Sequence, residues 1–217
     1  MTTIAAPLTA PTEQRFQLSC VEWDLYEYLL DQIGDRHVFL TFNDGSIELM
    51  SPSYQHDMRG RSLGLLVNIL AEELRIRIKG AGSTTFKRKD LNIGLEPDQC
   101  FYIANVKHLR GKTQLDLSVD PPPDLAIEVE VSRRMNSRMS LYAALGVPEI
   151  WRDDGTQVHV HVLGADGTYG EVTRSVSFPM LPMEQVNQFL DMATNVDEMS
   201  WTLTVRQWVK QNLVGKS

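Results

Sequence analysis

The sequence predicts an α/β or α+β fold in which helices cover a mixed β-sheet. Strand and helix patterns alternate through the middle of the chain, from about residue 51 to about residue 163. The segment "PDLAIEVEVS" (123–132) alternates apolar and polar residues, which indicates a half-buried strand. A helical pattern follows it at once, and a strand that leads into such a crossover is usually a central one, covered on both faces.

The composition is that of an ordinary soluble globular protein. The 217 residues are enough for one large domain, or for a domain with an appendage. Hydrophobic residues make up 42% and charged residues 23% of the chain. The net charge of −7 counts against a basic nucleic-acid coat protein, but it does not exclude an enzyme that acts on nucleic acid. No apolar run approaches the roughly 18 residues of a membrane span, and the two cysteines form no motif, so we expect a cytoplasmic protein.

The N-terminal third predicts a helix, a hairpin and a long helix. Residues 1–18 have no secretory-signal pattern and are expected to form a flexible leader. Residues 21–34 show helical spacing, and "NDG" between two strand-like runs predicts a hairpin. From Ser51, the expected N-cap, to Lys79 the pattern is that of one long helix.

The rest of the chain predicts further strands and helices around the strand at 123–132. We expect strands at "TTFKR" and "DQCFYIAN", a helix at "RMNSRMSLYAALG", strands around "DDG" and "ADG" turns, and helices at 183–193 and 205–213. Residues 19–193 are therefore predicted to form the main domain, and residues 194–217 a C-terminal helical extension.

Two glutamates and an aspartate are the candidate functional carboxylates of the chain. Glu128 and Glu130 lie on the same face of the strand at 123–132, either as a solvated face or as part of a site. Asp98, after Glu96 and Pro97, lies at the entrance of another strand, where it is either a turn residue or a carboxylate that meets Glu128. Two such carboxylates would form the all-oxygen site that Mg²⁺ prefers.

Four segments together resemble a known family. "ELMSPSYQH", "EPDQCFY", "PDLAIEVEVS" and "LYAALGVPEIW" occur in the order seen in the Uma-two (Uma2) family of restriction endonucleases, within the PD-(D/E)XK nuclease superfamily. "FPML" near residues 178–181 also looks like that family's C-terminal pattern. The resemblance covers about residues 20–190. It implies a restriction endonuclease-like core, with an N-terminal helix and hairpin and with C-terminal helices.

The resemblance also implies a metal site. Asp98 matches the metal-binding aspartate of the family motif, and Glu128 matches the second acidic ligand, so Mg²⁺ or Mn²⁺ is the expected cofactor. The lysine of the motif falls on Glu130, which is a departure from the family pattern.

The missing lysine has several possible replacements. In related sequences a lysine often stands on the following helix, four residues before the tyrosine, and here that residue is Arg138. Arginine stabilises negative charge on a phosphate but stays protonated, so it makes a poor general base. Lys87 or Lys89 on a neighbouring segment is the other candidate.

Two more residues match the family's "E…SP…H" pattern. Glu48 is expected at the end of a strand and His56 in the first turns of the long helix. Each is either a surface residue or part of the same cleft, where a histidine would act in acid–base chemistry because its pKa lies near neutrality.

The sequence therefore favours a Mg²⁺-dependent DNA endonuclease, expected as a homodimer, with the basic segments between residues 59 and 89 contacting the DNA backbone. One alternative is a weak or inactive nuclease-fold protein that binds a metal or a partner, as the missing lysine suggests. The other is a structural oligomer without chemistry, in which Trp201 and Trp208 dock on a twin subunit.

Overall fold

The computed structural model describes residues 13–34, 36–131 and 137–215. Its strands are β1 (Gln14–Ser19), β2 (Phe39–Asn43), β3 (Ser46–Ser51), β4 (Lys79–Gly80), β5 (Phe86–Arg88), β6 (Ile93–Leu95), β7 (Gln99–Tyr102), β8 (Leu125–Val129), β9 (Glu149–Asp153), β10 (Val158–Leu163) and β11 (Tyr169–Val172). Its α-helices are α1 (Trp23–Ile33), α2 (Tyr54–Leu74), α3 (Ser137–Leu145), α4 (Met183–Ala193) and α5 (Glu198–Asn212). A 3₁₀ helix spans Lys89–Leu91, and another spans Ala104–Leu109.

The strands form two sheets flanked by helices. One sheet has the order β1-β3-β2-β6-β5, and the other has the order β11-β10-β9-β8-β7-β4. The second is the mixed sheet that the sequence predicts, since β8 and β9 run parallel and are joined through α3, while its other pairs are antiparallel. All five residues of β8 are buried, as expected of a central strand.

The N-terminal sheet contains the predicted hairpin. Asp44 and Gly45 join β2 to β3, and both have positive φ, as a tight two-residue hairpin turn requires. Residues 14–18, which were predicted to belong to the flexible leader, form β1 together with Ser19 along the edge of β3. This edge strand is largely exposed, so its sequence carries little of the alternation that identifies a buried strand.

The long helix α2 is shorter at both ends than the predicted span from Ser51 to Lys79. Its N-cap is Ser53, whose side chain accepts a hydrogen bond from the His56 amide at 3.2 Å. The helix ends before Arg75, which has left-handed φ and ψ. Gly64 lets α2 approach β7 closely, because a Cβ there would lie 3.2 Å from the Gln99 side chain.

The C-terminal helices pack into the same core as α2. Helix α4 has the predicted bounds, whereas α5 begins at Glu198 rather than Val205, with Asp197 capping its first turn. Trp201 is buried and donates to the Phe189 carbonyl at 2.7 Å. Trp208 also packs against Phe189, with ring centroids 5.6 Å apart. Trp201 is therefore buried in the core of the chain itself, which leaves it unavailable for docking on a twin subunit. Trp208 is only partly buried, so its predicted role in such docking stays a prediction.

None of the helices in the described ranges combines the length and the apolar character that a membrane crossing needs.

Candidate active site

Asp98 and Glu128 lie at the same end of two paired strands. β7 and β8 are antiparallel, with Gln99 opposite Ile127, so the register carried one residue further sets Asp98 opposite Glu128. The Val129 amide donates to Asp98 Oδ2 at 2.6 Å, which ties the aspartate to β8. Asp98 is 7% exposed and Glu128 3% exposed. The structure thus brings together the two carboxylates that the sequence predicts as metal ligands.

Helix α3 contacts Glu128 through two side chains one turn apart. Arg138 Nη1 lies 3.1 Å from Glu128 Oε2, and the Tyr142 hydroxyl donates to Glu128 Oε1. Arg138 Nη2 also donates to the backbone carbonyl of Glu96 at 2.5 Å. Residues i and i+4 share one helix face, which explains why both side chains reach the same carboxylate. A role for Tyr142 was not predicted from the sequence, although its spacing of four residues from Arg138 was the signal for it.

Burial dominates the electrostatics of this pair. It raises the pKa of Asp98 to about 7 and that of Glu128 to about 7, although the charge of Arg138 opposes both shifts. The negative charge of Asp98 raises the pKa of Glu128 further. Burial alone would lower the pKa of Arg138, but the surrounding negative charges, Glu128 first, outweigh it and raise that pKa. Arg138 therefore remains charged at neutral pH. Its single positive charge does not offset the cost of burying two ionised carboxylates.

Glu130 occupies the expected lysine position and has its own cationic partner. Arg152 of β9 donates from Nε to Glu130 Oε2 at 3.1 Å. Burial raises the pKa of Glu130 to about 7, and the hydrogen bond from Arg152 works against this rise. A guanidinium from the neighbouring strand thus lies beside Glu130, where the family motif would supply an ammonium group.

His56 faces the same carboxylates from α2. Its side chain is buried, and Nε2 lies 3.5 Å from Asp98 Oδ2. Within the described part of the chain, this nitrogen has no hydrogen-bond partner. Burial lowers the pKa of His56 even though neighbouring carboxylates oppose the shift, so the imidazole is neutral at pH 7. His56 therefore places an imidazole nitrogen beside Asp98.

Glu48 is close to the site but is engaged by another residue. Arg15 of β1 donates to Glu48 Oε1 at 2.6 Å, and the charge of Glu48 is among those that raise the pKa of Arg138. The sequence analysis missed Arg15 because it assigned that residue to the leader. Glu48 thus lines the periphery of the site through β1 and β3.

Lys87 and Lys89 point to surface partners on α1. Lys87 Nζ lies 3.2 Å from a Glu27 carboxylate oxygen, and Lys89 Nζ lies 3.5 Å from Asp24. All four side chains are substantially exposed. Among the described residues, neither lysine contacts the buried carboxylates, whereas Arg138 contacts Glu128 and Arg152 contacts Glu130.

Comparison with known proteins gives the family. The family model described as "Uma2: Putative restriction endonuclease" matches residues 23–193. The chain belongs to the Uma2 family. This membership confirms the family resemblance that the four sequence segments indicate.

One solved structure similar to this chain is described as "a putative nuclease belonging to DUF820 from Anabaena variabilis". The sequence identity is 14% and the TM-score 0.49, over 70% of this chain and 90% of that chain. No curated protein matches the chain.

Proposed function

We propose that this Uma2 protein is a divalent-metal-dependent endonuclease that hydrolyses phosphodiester bonds in DNA, with Mg²⁺ or Mn²⁺ as its cofactor. One observation carries the proposal. Within residues 13–34, 36–131 and 137–215, the buried atoms Asp98 Oδ1 and Glu128 Oε2 have no hydrogen-bond donor. Leaving such oxygens unsatisfied is costly, so they have the character of a site prepared for a cation rather than of a structural network.

The donor set fits Mg²⁺. This ion is usually held by one or two carboxylates, together with water and substrate phosphate oxygens. In the described ranges no three histidine, cysteine, aspartate or glutamate side chains form a group that would hold a metal ion. Asp98 and Glu128 would therefore be the protein ligands, and solvent and the DNA phosphate would complete the coordination.

Tyr142, His56 and Arg138 would have separate roles in the proposed hydrolysis. A bound Mg²⁺ would polarise the scissile phosphate and lower the pKa of the attacking water. Tyr142 fixes the orientation of Glu128 through its hydrogen bond to Oε1. His56, neutral at pH 7 and beside Asp98, would accept a proton from the water. Arg138 would stabilise the negative charge that develops on the phosphoryl oxygens.

Part of the basic segment between residues 59 and 89 is suited to contact the DNA backbone. Arg75, Arg77 and Lys79 are exposed, and none of them has an ion-pair partner among the described residues. They occupy every second position from Arg75, the C-cap of α2, to Lys79, which begins β4. Replacing all three by alanine is expected to reduce the slope of log affinity against log salt by about 2 to 3.

The deciding experiment measures cleavage of supercoiled plasmid. Wild-type protein is incubated with Mg²⁺, with Mn²⁺ or with EDTA, beside Glu128→Gln, Asp98→Asn and the control Asp90→Asn. The control replaces an exposed aspartate that pairs with Arg88 on the surface. We expect nicking with metal by the wild type and the control alone. Cleavage that survives EDTA, or that both site variants retain, contradicts the proposal.

A second candidate function rests on Glu130. Position 130 carries glutamate, and the cations that contact Glu128 and Glu130 in the described structure are arginines, which do not lose a proton. A catalytically inactive protein that binds a metal or DNA through the same residues would give Mn²⁺ binding that Asp98→Asn abolishes, without plasmid cleavage under any condition.

We further propose a cytoplasmic homodimer. A duplex has two antiparallel strands, so two sites related by a two-fold axis would cut both. The outer edge of β1 supports a self-contact, because in the described structure no strand pairs with it and Phe16 is 64% exposed there. Cys20 and Cys100 are free, which suits a reducing compartment. Light scattering coupled to gel filtration tests the dimer, for which a monomeric mass is the contrary result.

A further inference from the structure

Tyr142 and Arg138 contact different oxygens of the Glu128 carboxylate and bind them with different strength. The Tyr142 hydroxyl occupies Oε1 as a hydrogen-bond donor, and Arg138 Nη1 faces Oε2 across 3.1 Å as an ion-pair partner. That Oε2 atom is also the one without a geometrically sound hydrogen bond in the described structure. The guanidinium thus neutralises the charge at Oε2 but does not satisfy the oxygen, so it is the weaker of the two attachments.

The position of Arg138 itself is electrostatically unfavourable. Arg138 lies in the first described turn of α3, toward the helix end where the macrodipole is positive and cations are disfavoured. It is also buried, and its Nε has no hydrogen-bond partner within the described residues. What retains the guanidinium is the negative charge of Glu128 and Asp98, together with the Glu96 carbonyl. Any other cation that takes this negative charge removes the main reason for Arg138 to stay.

We infer that Arg138 is a displaceable internal counter-ion that competes with the divalent metal for Glu128 Oε2, while Tyr142 keeps Glu128 Oε1 in place. The inference rests on the proposed function for the identity of the metal ligands. In the absence of DNA, the displaced guanidinium loses Glu128 as its ion-pair partner and keeps only the longer-range attraction of charges such as that of Glu48. A DNA phosphate supplies a new partner, so the binding of metal and the binding of DNA reinforce each other.

The test is a calorimetric titration with Mn²⁺ in the absence of DNA. We expect Arg138→Gln to bind Mn²⁺ at least about tenfold more tightly than the wild type, because the competing charge is gone. Tyr142→Phe is expected to bind no more tightly than the wild type. The matched control is Arg59→Gln, since Arg59 is also a buried arginine paired with a carboxylate, that of Asp153. An Arg138→Gln affinity equal to or below that of the wild type overturns the inference.

A second measurement uses the wild-type protein, in case Arg138→Gln does not fold. In crystals soaked with Mn²⁺, we expect the metal at Glu128 Oε2 and the Arg138 guanidinium more than about 4 Å from that oxygen, beyond ion-pair distance. A metal that binds elsewhere, or one that binds at Glu128 while the Arg138 contact persists, contradicts the inference.

The inference and the proposed function fail separately. Metal-dependent plasmid cleavage by the wild type, with no gain in Mn²⁺ affinity for Arg138→Gln, supports the endonuclease and overturns the role of Arg138. Tighter Mn²⁺ binding by Arg138→Gln, with no cleavage by the wild type, supports the competition and removes the endonuclease.

Discussion

Glu128 should make the metal-free protein less stable as the pH rises. Burial raises the pKa of this carboxyl from its ordinary 4.5 to about 7. Below pH 4.5 the group is protonated in both the folded and the unfolded state and contributes nothing to pH dependence. Between pH 4.5 and 7 only the unfolded state has released its proton, so the free energy of unfolding falls as the pH increases. Above pH 7 the loss is complete.

The size of the effect follows from these two pKa values. At about 1.4 kcal/mol for each pH unit between them, ionised Glu128 costs the folded protein roughly 3 kcal/mol at pH 8. Most of that cost, roughly 2 to 3 kcal/mol, develops between pH 5 and pH 8. Glutamine resembles the protonated glutamate in shape and charge. Glu128→Gln should therefore match the wild type near pH 5 and be more stable by roughly 2 to 3 kcal/mol at pH 8.

Urea unfolding at pH 5, 6, 7 and 8, in EDTA, measures this difference. The comparison cancels contributions that both proteins share, among them the protonation of His56 at low pH. The control is Glu149→Gln, on the neighbouring strand β9. The oxygens of Glu149 accept from Trp151 Nε1 at 2.8 Å and from the Ser177 amide at 2.8 Å, so an amide NH₂ would meet a donor. This variant should lose stability by about 1 to 3 kcal/mol at pH 5, where Glu128→Gln should match the wild type.

A stability difference between wild type and Glu128→Gln that stays constant from pH 5 to pH 8 would refute the reasoning. It would mean that Arg138 compensates the burial of Glu128 in full and that the site has no deficit of positive charge. Adding Mn²⁺ at pH 8 gives an independent check, because it should restore stability to the wild type and not to Glu128→Gln.

Three other changes test the fold and the surface charges. Gly94→Ala should destabilise the protein by about 2 to 3 kcal/mol, seen as a lower urea midpoint, because its Cβ would lie 2.2 Å from the Tyr26 hydroxyl oxygen. Arg59→Met should cost about 3 to 5 kcal/mol in the same assay, since it removes the bidentate partner of the fully buried Asp153. Lys87→Ala should change stability by less than about 1 kcal/mol and leave plasmid cleavage unchanged, because its ion pair is exposed.

The parts of the fold that the sequence predicted are those with a strong local pattern. Helix α4, the hairpin with Asp44-Gly45 and the buried strand β8 all have a periodicity or a turn that can be read within about ten residues. β1 and β6 were missed because one is an exposed edge strand and the other has three residues. The pairing of Arg59 with Asp153 joins residues 94 apart in the chain, for which a single sequence carries no local signal.

The site could be predicted from the sequence to the extent that the pairing of its two strands could be predicted. Two carboxylates at corresponding ends of two strands meet if the strands pair, and the pairing of β7 with β8 brings Asp98 and Glu128 together. What the sequence does not contain is the depth of burial. The same two carboxylates on an exposed sheet would be ordinary solvated acids, and the raised pKa values of both arise from desolvation first.

The surroundings of position 130 suit a glutamate better than the lysine of the family motif. In the parallel register of β8 and β9, Arg152 lies opposite Glu128, and it donates to Glu130 two residues further along. A lysine at position 130 would face this guanidinium, and two like charges in a partly buried place repel each other. Glutamate at 130 and arginine at 152 are therefore a matched pair. In the described structure, the cation in contact with Glu128 is the guanidinium of Arg138, which does not release a proton. The proposed hydrolysis therefore needs another group as its base, and we propose His56, whose Nε2 lies 3.5 Å from Asp98 Oδ2.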